Sequence, residues 1–128
     1  MKKIVLLLMV VMVLVISNTN TNAKTLNEAE TELCETLKLA LINCLREPID
    51  KAIIEIYKNN KNAPKGLTWA SYETEMLKIK QLSGIGGVYV ITLKVYPYYR
   101  AHWGYGEDEV VVNSSGELIR YKHLKTYP

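Results

Sequence analysis

No apolar run in this 128-residue chain exceeds the thirteen residues from Ile4 to Ile16. At a helical rise of about 1.5 Å per residue such a run covers roughly 20 Å, short of the roughly 30 Å hydrocarbon core that a spanning helix must cross. The mature protein is therefore expected to have no membrane span. The run follows Lys2 and Lys3 and gives way to a polar stretch, Ser17–Asn22, that ends at Ala23. A basic start, a short apolar middle and a small-residue end are the layout of a secretory signal peptide. The sequence predicts residues 1–23 as a cleaved leader, cut after Ala23 with Thr21 at the third position before the cut. No cysteine stands there to take a lipid. Residues 24–128 suffice for one small domain with a single core and are too few for two.

A surplus of positive charge is also missing. Sixteen Lys and Arg face thirteen Asp and Glu, and Lys2 and Lys3 would leave with the leader. A near-neutral mature chain argues against nucleic acid and against polybasic membrane binding, because both need clustered cations. Cysteine is scarce too, with Cys34 and Cys44 the only pair. Ten helical residues separate them by a rise of roughly 15 Å, beyond the roughly 4 to 7 Å Cα distance that a disulfide allows. The expectation is two small buried thiols, with a reactive thiol or an intermolecular bridge as the other reading of their redox state. The chain also lacks a His-x-Glu or His-x-x-x-His spacing, a Ser-centred elbow and a Gly-rich phosphate loop, so no cofactor is predicted.

What is present falls into two halves. From about Asn27 to Leu45 the apolar positions Cys34, Leu37, Leu41, Cys44 and Leu45 recur with the helical period, opposite Glu35, Asn43 and Arg46. Pro48 removes a backbone donor, so a kink or restart is expected there before the stripe resumes at Ile49, Ala52, Ile53 and Ile56. The polar run from Asn59 to Gly66 ends the helix. Beyond it the period drops to two. Strands are predicted over Tyr72–Leu82, Val88–Tyr96, Glu109–Asn113 and Glu117–His123, with turns at Ser83–Gly87 and Ser114–Gly116. Helix first and four consecutive strands after it imply an α+β domain. The N-terminal amphipathic helix, kinked at a proline, would pack on an antiparallel four-stranded sheet, cystatin-like or NTF2-like in general shape.

Between the middle strands, residues 97–108 form a twelve-residue connection, long for its kind. The window from Tyr96 to Tyr105 holds Tyr96, Tyr98, Tyr99, Trp103 and Tyr105. Such rings either order the loop by packing on the sheet end or present a contact surface for a peptide or glycan. The candidate binding residues are Tyr98, His102, Trp103, Tyr105, Asp108 and His123. A hairpin turn centred on Ser114 and Ser115 would set His123 across from Gly106 or Glu107, and Lys122 across from Asp108. His102, His123 and Asp108 then become candidates for a divalent-metal site or an acid–base pair. The simpler alternative has Asp108 accepting loop backbone N–H groups, with Gly104 and Gly106 supplying positive φ.

The leader, the helix with a proline in its second half, the segment PYYRAHWGYGEDEVVV and the closing RYKHLKTYP together resemble the small exported Bacillus-type proteins grouped as domain of unknown function 3888. Pro97, Tyr98, His102, Gly106 and Asp108 match that family's loop, and His123 matches a histidine near its C-terminus. Family members tend to carry Gly-Pro before the loop histidine, where this chain has Arg100 and Ala101. The resemblance spans nearly the whole mature chain. It implies export from a Gram-positive bacterium and one domain, and no particular reaction.

Three functions remain open. The leading one is a non-enzymatic extracellular or cell-wall binding module that uses the aromatic loop 96–108 on an envelope partner. The second is a metal-binding or hydrolytic site built from His102, His123 and Asp108. The third is a self-associating envelope protein that pairs through an exposed sheet edge.

Overall fold

A computed structural model of the chain describes residues 28–128. The predicted leader lies outside the described residues. Helix α1 spans Glu28–Cys44 and is built largely from good helix formers, Glu, Leu, Lys and Ala. Leu45 interrupts it at φ −93°, ψ 14°, and α2 runs from Arg46 to Tyr57. Pro48 occupies the first turn of α2, where a missing N–H leaves no helical bond unmade. Among the described residues no helix is long and apolar enough to cross a membrane.

After a loop and a single 3-10 turn at Ser71–Glu73 come strands β1 (Glu75–Gln81) and β2 (Tyr89–Val95). A short antiparallel ribbon follows, β3 (Tyr98–Tyr99) with β4 (Trp103–Gly104), and then β5 (Gly106–Asn113) and β6 (Leu118–Thr126). The four long strands form one antiparallel sheet in the order β1-β2-β5-β6. That is the expected α+β architecture. In β2, Ile91, Leu93 and Val95 are buried, whereas Val90, Thr92 and Lys94 are half-buried, the alternation of a sheet with one core face. Gly116, at φ 85°, closes the β5–β6 hairpin in a backbone conformation that glycine adopts without strain.

Helix α2 packs on β5 and β6. The core joins Ile42, Leu45, Ile49, Ala52 and Ile53 of the helices to Ile91, Leu93, Val95, Val110 and Val112 of the two central strands. Trp69 in the loop is only 2% exposed. Its indole Nε1 donates to Asp50 Oδ1 at 2.6 Å, and the Arg46 guanidinium lies 4.7 Å from the ring centroid. One aromatic thus ties the long connection to α2, with its polar edge satisfied.

Four expectations are corrected. Cys34, Leu37 and Cys44 are exposed rather than core-facing, and both thiols are free. A helical wheel assumes cover along the whole helix, but the buried stripe of α1 begins only at Ile42. The twelve-residue loop is mostly strand: a ribbon turn, then β5 starting at Gly106. The β5–β6 register also differs, because an irregularity at Val111/Val112 shifts the ladder by one and sets Asp108 opposite His123 and Glu109 opposite Lys122, and a second at Glu107/Asp108 sets Glu107 opposite Lys125. Finally, Gly104 and Gly106 are not among the positive-φ residues; Arg100 and His102 are.

Gly106 has a different task. A Cβ there would press into the Lys125 carbonyl oxygen of the neighbouring strand, well inside van der Waals contact. Gly106→Ala is expected to lower stability by about 1–3 kcal/mol, the usual range for a forced backbone shift. Urea unfolding reads this as a lower midpoint at an unchanged slope. A variant as stable as the wild type would refute the close approach.

Candidate functional site

Among the described residues, the fully buried carboxylate is that of Asp108, on the helix-facing side of β5. Tyr57, the last residue of α2, donates its hydroxyl to it, 3.0 Å from Oδ1 and 2.8 Å from Oδ2. From β6, His123 Nδ1 lies 2.7 Å from Asp108 Oδ1, and His123 Nε2 lies 2.8 Å from Thr126 Oγ1. The Tyr57 hydroxyl is also 3.2 Å from His123 Nδ1. Burial raises the Asp108 pKa above the usual aspartate value, outweighing the opposing hydrogen bonds from His123 and Tyr57. Burial, followed by the nearby Asp108 charge, likewise raises the Tyr57 phenol well above its ordinary range. When Nδ1–H donates to the carboxylate, Nε2 is the acceptor for the Thr126 hydroxyl, the tautomer a general base requires.

Asp108 and His123 are therefore brought together, and the other predicted site residues sit on the ribbon or at its base. The ribbon is pinned to the loop by two backbone bonds between Thr68 and Tyr98, at 2.9 and 2.8 Å. A third bond from Tyr105 N to Pro97 O, 2.7 Å, closes its base. Arg100 and His102 take φ values of 51° and 60° at the turn, which costs on the order of 1 kcal/mol each for a residue with a side chain. Ring contacts offset this: His102 lies against Tyr98 with centroids 4.5 Å apart, and Trp103 meets Tyr99 edge-on at 6.0 Å. Trp103 nonetheless remains 59% exposed. Tyr105 packs at 5.5 Å against Tyr57, linking the ribbon base to the buried network.

His102 thus has a ring partner on the ribbon, and His123 is anchored to Asp108. Among the described residues no group of three or more His, Cys, Asp or Glu side chains is placed to hold a metal ion. Asp108 accepts from Tyr57 and His123, not from the loop backbone N–H groups that its sequence position suggested. Tyr57 and Thr126 were not legible as network members. The one signal for Tyr57 was its place four residues after Ile53 on the buried stripe, and for Thr126 its place three residues after His123. Away from the network, Cys34, Leu37 and Leu41 of α1 face Met76 and Ile79 of β1 across an open groove of about 600 Å³.

A family model described as "Protein of unknown function (DUF3888)" matches residues 37–125, and the chain belongs to that family. The matched span includes α2, the ribbon, Asp108 and His123, and stops one residue before Thr126. Comparison with curated proteins found no match, and comparison with solved structures found none either.

Two measurements test the network. Tyr57→Phe removes the hydroxyl but keeps the ring, and is expected to cost about 1.5–3 kcal/mol, the range for hydrogen bonds to a charged group. A loss below 0.5 kcal/mol (about one-third of that lower bound) would show that the bond contributes little. The second concerns pH. Native Asp108 holds its proton to higher pH than the unfolded chain, so over that interval the folded state binds more protons and stability falls as pH rises. The decline should run from the ordinary aspartate range up to the raised native value and be absent in Asp108→Asn. Equal pH slopes for both proteins would contradict the raised pKa.

Proposed function

We propose that this family member is an exported binding module of the cell envelope that contacts its partner through the ribbon 98–104. The observation that supports this most is the exposed indole of Trp103, held on a short ribbon with hydrogen bonds at its base instead of sinking into the core. A large aromatic left in water on a pre-ordered element offers contact area with little entropy left to lose on binding. Arg100 sits 6.0 Å from the Tyr99 ring beside it, adding a cation to the same tip. The rigid base continues through Tyr105 and Tyr57 into the Asp108 network, so the tip is braced from the core. Export rests on the leader pattern of residues 1–23, and the partner is accordingly placed in the cell wall or outside the cell.

Trp103→Ala is expected to fold with wild-type stability and to lose most of the protein's retention on Gram-positive cell-envelope preparations. Sedimentation of protein with envelopes measures this, and equal retention of the two proteins would count against the ribbon. N-terminal sequencing of protein recovered from the culture medium should begin at Lys24.

A second reading rests on one observation, the ordered chain from Thr126 Oγ1 through His123 to Asp108, with distances of 2.8 and 2.7 Å. Nucleophile, base and orienting carboxylate follow one another in that order in acyl-transfer sites. This would be a hydrolytic site of Thr126, His123 and Asp108, with His102 playing no part. A fluorophosphonate probe that labels wild type but not Thr126→Val would establish it, and absence of labelling would dismiss it.

A further inference from the structure

We propose that two copies of this chain pair edge to edge through β1, about a two-fold axis perpendicular to the sheet, so that the apolar groove beside β1 in one copy meets that of the other. This surface uses neither the ribbon tip nor the buried Asp108 network, and it stands whether or not the ribbon binds a partner. β1 has a neighbour, β2, on one side only. Its other edge leaves backbone N–H and C=O groups unpaired, a template for a further strand. Apolar side chains gather at the same place. Leu33 and Leu37 of α1 and Leu77 and Ile79 of β1 are each about half exposed, and Cys34, Leu37 and Leu41 face Met76 and Ile79 across the groove.

The sequence of β1 makes this edge complementary to itself. Leu77 is an extra residue in the strand, because Met76 stands opposite Leu93 and Lys78 opposite Thr92. The bulge resets the alternation. Met76 and Ile79 face the helices with Leu93 and Ile91, whereas Glu75 and Lys80 both face away with Lys94 and Val90. An antiparallel copy centred on the bulge therefore sets Glu75 opposite Lys80 of the second chain, and Met76 opposite its Ile79, twice over. Opposed unlike charges and opposed apolar side chains are the stabilising units of a sheet. Lys80 has no ion-pair partner among the described residues. Glu75 accepts from the Tyr96 hydroxyl and keeps acceptor positions for an ammonium. Lys78 meets its own copy at the centre, the one like-charge pair of the seam. On the helix side the two Met76–Ile79 pairs lie side by side, so the grooves join and their apolar walls cover one another. The other edge strand is unsuited to the same pairing: β6 carries Arg120, Lys122 and Lys125 and no acidic residue, so two copies of it would oppose cations alone. A mixed β1–β6 contact would bring those cations to Lys78 and Lys80 and would leave free ends that build filaments, whereas the β1 pair closes as a dimer.

Sedimentation velocity of the purified protein over a range of concentrations tests the pairing. The mass is expected to rise from one chain to two and to stop there. Glu75→Lys would place like charges together at both ends of the seam and should weaken the dimer by about tenfold. Adding Lys80→Glu to Glu75→Lys exchanges the two charges and should restore the dimer, which separates a lost contact from a fold defect. Lys78→Gln should tighten it. A mass of one chain up to about 1 mM would overturn the proposal. A dimer that Glu75→Lys leaves unchanged, or that the exchanged charges do not restore, would overturn it as well, because another surface would then hold the copies together. Masses that grow beyond two chains would overturn the closed pair in favour of a filament.

Discussion

The buried carboxylate of Asp108 is the constraint on which the rest of the structure depends. Removing a charge from water costs several kcal/mol unless hydrogen bonds replace the lost solvation. Here the replacements come from two different elements, the hydroxyl of Tyr57 at the end of α2 and the imidazole of His123 on β6. To satisfy Asp108, the helix must place its final turn over β5, and the hairpin must place residue 123, rather than 122, opposite residue 108. The ladder irregularity at Val111/Val112, between the turn and Asp108, is the local geometry that accommodates this pairing. A hydrophobic face alone tolerates sliding; a buried polar triad with directional bonds does not.

The same register organises the opposite face. With Asp108 turned inward, Glu107 and Lys94 are turned outward, and their ion pair draws in Tyr127 from the end of the chain. Tyr127 then lies over Gly104 and its backbone N–H bonds to Tyr105 O at 2.9 Å, so the C-terminus buttresses the ribbon. One face of the sheet is thus devoted to assembling the core and the other presents rings and charges. The ribbon bridges the two, with Tyr105 reaching inward to Tyr57 and Trp103 outward to solvent.

How much of this could be read beforehand depended on whether a pattern is local. The central strand was legible because Ile91, Leu93 and Val95 alternate with polar or outward residues, and the helices because Ile49, Ala52 and Ile53 recur at helical spacing. The hairpin turn was legible from Ser114, Ser115 and Gly116. Cys34 and Leu37 were misread because they satisfy the same periodicity without anything packed over them. The ribbon was read as loop, since two-residue strands with glycine and arginine between their rings carry no period. Asp108 and His123 were singled out, His102 was grouped with them because the hairpin pairing brings both histidines to one end of the sheet, and Tyr57 was passed over because a tyrosine on a buried stripe looks like core.

By itself the sequence determined the class of the domain, the order of its elements, the leader pattern and the concentration of aromatics around residue 100. These are properties of neighbours along the chain: periodicity, turn chemistry and composition. Tertiary structure decided which side of each strand met the helix, which residue stood opposite Asp108, and which aromatic stayed in water. Those outcomes turn on a one-residue shift in a ladder and on hydrogen bonds between positions 51 and 66 residues apart. Contacts at that separation are chosen by the geometry of the whole domain, because satisfying one buried charge outweighs the weak local preferences that a sequence displays.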